Sequence, residues 1–114
     1  MQKVIYLAGP MTGMKDWNKP EFDRVAKILS DLGNTVLNPA SYIPLNLPER
    51  IDHSAYLKIA FAMVDAAEML VFLPGWKISK GANMERDYAV RNKKPCIEWR
   101  VVLQANGLVD PHEE

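Results

Sequence analysis

The chain has one cysteine, Cys96, and two histidines in 114 residues. A single thiol rules out a disulfide framework, so a hydrophobic core must hold the fold and a reducing, cytoplasmic setting is expected. Cys96 lies in the apolar run CIEW and is read as a buried, inert thiol. Neither His53 nor His112 has a carboxylate, cysteine or second histidine at metal-ligand spacing, so no metal site is expected. An excess of one charge is missing too: 14 basic and 14 acidic side chains cancel. That balance argues against polymeric nucleic acid or an anionic membrane as the main partner and favours a small ligand. No apolar run approaches the ~20 residues that span a bilayer, and the N-terminus enters a strand directly rather than through a cleavable signal. No serine or cysteine triad can be assembled, and there is no internal repeat or low-complexity tract. The glycines after the first strand, in GPMTG, fit neither G-x-G-x-x-G nor a Gly-Lys-Ser/Thr loop, so dinucleotide and P-loop readings lose weight and no cofactor is expected.

What is present suits one domain over residues 1–114, because 48% of the side chains are hydrophobic and a chain of this length buries roughly two thirds of its unfolded surface. VIYLA, residues 4–8, reads as a strand buried on both faces and bounded by Gly9 and Pro10. A helix follows, with Asn18 as a candidate cap, Pro20 at its first position and an apolar stripe of Phe22, Val25, Ala26, Leu29 and Leu32 that Gly33 ends. TVLNP is a second strand halted by Pro39, and residues 40–50 form a proline-bearing loop of a length that is often functional. Residues 53–67 form a helix apolar around much of its girth, buried on more than one side by the sheet and by a second subunit. MLVFLP, a helix from residue 82 to about 93 and the strand CIEW complete a β-α-β-α-β-α-β order. That order predicts an α/β fold with a parallel sheet of about four strands and right-handed crossovers; the expected architecture is a flavodoxin- or Rossmann-like three-layer sandwich with strand order 2-1-3-4. The tail from Gln104 is expected to be mostly unstructured.

Residues 70–90, LVFLPGWKISKGANMERDYA, carry the strongest functional signal. An apolar strand runs through a glycine-broken loop into a helix whose first turn is expected to hold Glu85, at the sheet edge where open α/β folds bind ligands. The helix dipole favours an ionised, nucleophilic Glu85 and partial burial opposes it; the plainer role is dipole complementation on a surface turn. Ser79 either holds an anion such as phosphate, together with N–H groups at the helix start, or simply caps that helix. Tyr6 is a core aromatic by default, yet its phenol needs a polar partner, and a carboxylate at the sheet edge is one. Asp52 reads as a cap. Trp17 and Trp76 occupy loops at the ligand-facing edge, either stacking on a base or packing as lids.

Four motifs together resemble the nucleoside 2-deoxyribosyltransferase-like superfamily, in its small branch called DUF4406. They are VIYLAGPMTG, then F-x-x-x-A-x-x-L-x-x-x-G, then V-L-N-P, and L-P-G-W-x-x-S-x-G-A-x-x-E-x-x-x-A at residues 73–89. The resemblance covers residues 3–100. It implies that Glu85 attacks the anomeric carbon of a nucleoside or nucleotide, that Tyr6 orients it, and that Gly9, Pro10, Asn38, Ser79, Gly81 and Ala82 line the nucleotide. A serine at position 79 resembles the phosphate contact of 5′-monophosphate hydrolases, where transferases of free nucleosides tend to have aspartate; a neutral hydroxyl admits a phosphate that a carboxylate repels. The implied activity is a nucleoside 5′-monophosphate N-glycosidase or related transferase, in a homodimer or larger assembly. One departure stands out: the aspartate that handles the departing base's proton is Ala60 here, and Asp65 lies about 140° around the helix from it. Glu68 also replaces an aspartate that usually precedes the third strand. Either Asp52, His53 or water protonates the base, or the protein binds nucleotides without efficient turnover.

Overall fold

Apolar strands that must be covered on both sides set the architecture. In the computed structural model, which describes residues 2–108, strand β1 (Val4–Ala8) sends Ile5 and Leu7 to one face and Tyr6 and Ala8 to the other, and all four are buried. Strand β3 (Met69–Phe72) does the same with Val71 and Leu70. Side chains alternate across a pleat, so a strand covered twice must be apolar throughout. With β2 (Thr35–Leu37) and β4 (Cys96–Glu98) they form a four-stranded parallel sheet in the order β2-β1-β3-β4. The predicted α/β fold and strand order are both present.

Helix α1 (Lys19–Asp31) lays Phe22, Val25 and Leu29 on the Ile5 and Leu7 face. Asn18 does not cap it as expected. That residue is in the left-handed region and its Nδ2 donates instead to the Pro10 carbonyl at 3.0 Å, so Pro20 is the second helical residue. Helix α2 (Leu47–Arg50) is a single turn after the 3-10 segment Pro39–Leu45, so residues 40–50 are largely helical rather than an open loop. Helices α3 (His53–Ala66) and α4 (Lys80–Arg91) cover the opposite face, where Ala60, Val64 and Ala89 meet Tyr6, Leu70 and Phe72. Asp52 caps α3 as expected, accepting from the Ala55 N–H at 2.8 Å.

Two sequence expectations fail at the fourth strand. Trp99 is not strand: it opens helix α5 (Trp99–Ala105), which takes in Gln104 and Ala105 of the tail expected to be unstructured, and it is buried against Ile5, Leu7 and Val71 with Val102 and Leu103; the tail from residue 109 lies outside the described residues. A seven-residue helix with two adjacent valines has no periodicity long enough to distinguish it from strand. Cys96 is exposed, because β4 is an edge strand whose start lies outside both apolar layers.

Candidate functional site

The chain leaves β1 toward β2 on one side and reaches β3 on the other, so the crevice at the carboxyl ends of β1 and β3 is the topological switch point where such sheets take ligands. Two loops converge there. Gly9 follows β1 so closely against the turn after β3 that a Cβ on it would stand 2.9 Å from the Leu73 Cβ, and only glycine permits that approach. Pro10, buried beside it, faces Gly75, whose φ of +84° starts the turn into the 3-10 segment Trp76–Ile78. In the β1–α1 loop Asp16, Trp17 and Asn18 have φ of 52°, 55° and 62°. Such a conformation costs a non-glycine residue about 1–2 kcal/mol.

The structure brings Tyr6 and Glu85 together from opposite ends of the sequence. Tyr6, at the centre of β1, donates a hydrogen bond from its hydroxyl to Glu85 Oε2. Tyr6 is 1% exposed and Glu85 8%. Ser79 caps α4 and Lys80 begins it, so Glu85 lies in the second turn, not the first, on the buried line Ala82, Glu85, Ala89. The dipole effect fades within one turn, and burial dominates: desolvation pushes the Glu85 carboxyl from 4.5 up to about 7, opposed by the bond from Tyr6. Burial, and then the negative charge of Glu85, push the Tyr6 phenol well above its ordinary value. Glu85 is thus a carboxyl poised to ionise near neutrality.

Around this pair the other sequence candidates divide. Ser79 Oγ accepts from the Ala82 N–H at 3.2 Å, which fulfils its capping role. Gly81 has open space where a side chain would begin, and Ala82 is buried beneath it. Asn38, at the end of β2, uses its amide on the framework: Oδ1 accepts from the Ala40 N–H at 3.0 Å and Nδ2 donates to Asp23 Oδ1 at 2.9 Å. Trp76 leans over Phe72 with ring centroids 4.9 Å apart, carries the Arg86 guanidinium 5.7 Å from its ring and donates from Nε1 to Glu98 at 3.2 Å. Trp17 is half-buried. Ala60 is fully enclosed, and Asp65 faces away, accepting from the Tyr88 hydroxyl at 2.8 Å. A concavity of about 300 Å³ lies between the turn after β3 and the start of α5, walled by Trp76, Lys77, Glu98 and Arg100; neither Glu85 nor Tyr6 lines it.

Sequence reasoning missed two tyrosines. Tyr56 on α3 donates to the Pro39 carbonyl at 3.2 Å, and its ring meets Tyr42 edge-on with centroids 6.5 Å apart. Burial and then the charge of Glu85 raise the Tyr56 phenol above its ordinary value. Nothing in the spacing of residues 42 and 56 announces this contact, since a turn of α2 intervenes. Among the described residues no three His, Cys, Asp or Glu side chains gather to hold a metal ion, and no helix is long and apolar enough to cross a membrane.

No curated protein matches the chain. Residues 3–98 match the family described as Domain of unknown function (DUF4406), and the chain belongs to that family.

Proposed function

We propose that this protein is a nucleoside 5′-monophosphate N-glycosidase, or a closely related 2-deoxyribosyltransferase, with Glu85 as nucleophile. The buried Tyr6–Glu85 pair carries the reading. A carboxylate enclosed away from water lowers stability and is retained where its chemistry is used. On this reading the ionised Glu85 attacks C1′ through an oxocarbenium-like transition state, the C1′–N bond breaks with its electron pair going to the base, and Tyr6 holds the carboxylate in line. Water then attacks C1′, releasing Glu85 and the sugar phosphate; capture by a second base makes the same site a transferase. The 5′-phosphate docks on the loop around Ser79 and Gly81 at the start of α4, beside Ala82, with Gly9 and Pro10 forming the facing wall and Asn38 the rim beyond β2. The likeness of residues 73–89 to the nucleoside 2-deoxyribosyltransferase-like superfamily supports the same assignment. The protein acts in the cytoplasm as a homodimer or larger assembly, and a strictly monomeric species in light scattering would count against that part.

Incubation with a panel of nucleoside 5′-monophosphates, followed by chromatography of the free base, tests the proposal. Release should disappear in Glu85→Ala and Glu85→Gln, and release that survives both removes Glu85 from the mechanism. The enclosed Ala60 favours a second reading, a nucleotide-binding or sensing protein that does not cleave its ligand. Thermal stabilisation by a nucleotide recovered intact distinguishes it, because a ligand that binds only the native state raises stability.

A further inference from the structure

The glycosidase reading leaves one proton unassigned. A departing base takes the electron pair of the C1′–N bond and needs a proton on its nitrogen, yet the buried residues of α3 are Leu57, Ala60 and Val64, which have none to give. Tyr56 lies one turn before Ala60, about 6 Å along the axis and on nearly the same side. Its hydroxyl sits 3.2 Å from the Pro39 carbonyl. Pro39 is two residues beyond Leu37, and Leu37 pairs in register with Tyr6. Neighbouring strands are about 4.8 Å apart and rise about 3.3 Å per residue, so the phenol of Tyr56 stands on the carboxyl-end side of Tyr6, about one strand sideways and about two residues further along.

We infer that Tyr56 is the proton donor to the leaving base. This rests on the proposed nucleotide glycosidase and assigns that site its acid. As C1′–N breaks and Glu85 bonds to C1′, the Tyr56 hydroxyl proton passes to the base nitrogen. The water that then attacks C1′ returns a proton to the phenolate, so the cycle consumes only water. The groups around Tyr56 suit the role. Tyr42, from the segment after β2, presents its ring edge-on, and its own hydroxyl is turned to Met63 Sδ at 3.7 Å. From β1 and α4 come the Tyr6 hydroxyl and Glu85, already bonded to each other. From the start of α3, Asp52 is occupied by the Ala55 N–H and the Ser54 hydroxyl, both at 2.8 Å, and His53 is exposed. With burial and then the negative charge of Glu85 raising it, the phenol stays protonated throughout the range in which Glu85 ionises.

The test compares guanosine 5′-monophosphate with its 7-methylated form, in ribose and 2′-deoxyribose versions, with Glu85→Ala as the background. A 7-methylated base already carries positive charge and departs without a donated proton. Tyr56→Phe should slow release from the unmethylated nucleotides by about 10²–10⁴-fold, the usual worth of a general acid, and leave the methylated ones within about threefold. Equal losses on both, with release still dependent on Glu85, overturn the assignment of Tyr56 alone. No release by the natural protein from any of the four, or release that survives Glu85→Ala, overturns the glycosidase reading and this assignment with it. Should Tyr56→Phe not fold, the pH profile of the natural protein decides. A phenol donor gives a rate that rises through about pH 7 and stays level to pH 9, whereas a fall between those values means a more acidic donor.

Discussion

Replacing Glu85 by glutamine should shift the balance of stability toward the variant as pH rises from about 5 to about 8. The native carboxyl holds its proton up to about pH 7, against 4.5 for an ordinary glutamate. That difference amounts to about 3 kcal/mol, because each tenfold change in proton affinity is worth about 1.4 kcal/mol. The native state binds the proton more tightly than the unfolded chain, so the group's contribution is complete below about pH 4.5. It is lost as pH rises to about 7 and is constant beyond. Glutamine is never charged, and its carbonyl can still accept from Tyr6, although its amide must find a partner at a cost of about 1–3 kcal/mol. That cost is the same at every pH. Thermal melts of Glu85→Gln and the natural protein should therefore diverge by about 2–3 kcal/mol between pH 5 and pH 8 in favour of glutamine. In a domain of this size that is a relative shift of about 10 °C. Parallel melting curves across that range would refute the argument that burial, rather than the Tyr6 bond or the helix dipole, governs this carboxyl.

Tyr6→Phe removes the bond that opposes desolvation, so Glu85 should titrate higher than in the natural protein; carbon NMR of the labelled carboxyl reads the change, and an unmoved or lower value contradicts the geometry. Ser79→Asp keeps an acceptor for the Ala82 N–H and should leave stability within about 0.5 kcal/mol, while calorimetry should show weaker binding of nucleoside 5′-monophosphates and undiminished binding of free nucleosides. Gly9→Ala forces a methyl to 2.9 Å from the Leu73 Cβ and should lower stability by about 1–3 kcal/mol, visible as an earlier urea midpoint.

Much of the fold was legible because double burial leaves a plain mark. VIYLA and MLVF are apolar without alternation, as strands covered by helices on both faces must be. The alternation of those strands with helices marks the sheet as parallel, whereas its order depends on which edge each crossover reaches and is not set by alternation. The candidate site was half legible: Glu85 and the phenol that needed a partner were both visible in the sequence, 79 positions apart, but their bond needs the fold. Glu85 was placed one turn too early because Ser79, not a later residue, caps α4, with Lys80 and the poor helix former Gly81 inside the first turn. Tyr42 and Tyr56 were missed because their contact is tertiary, between a 3-10 segment and α3. Cys96 misled through composition, since an apolar run says nothing of which strand ends up at the margin of a sheet.

The two marginal strands, β2 and β4, are three residues each, with Pro39 soon after one and Pro95 directly before the other. So few free ladder positions, flanked by residues without an N–H, offer poor purchase for a further chain to extend the sheet. Edge-to-edge growth of the sheet, and with it runaway stacking into fibrils, is discouraged by the plan of the sheet itself.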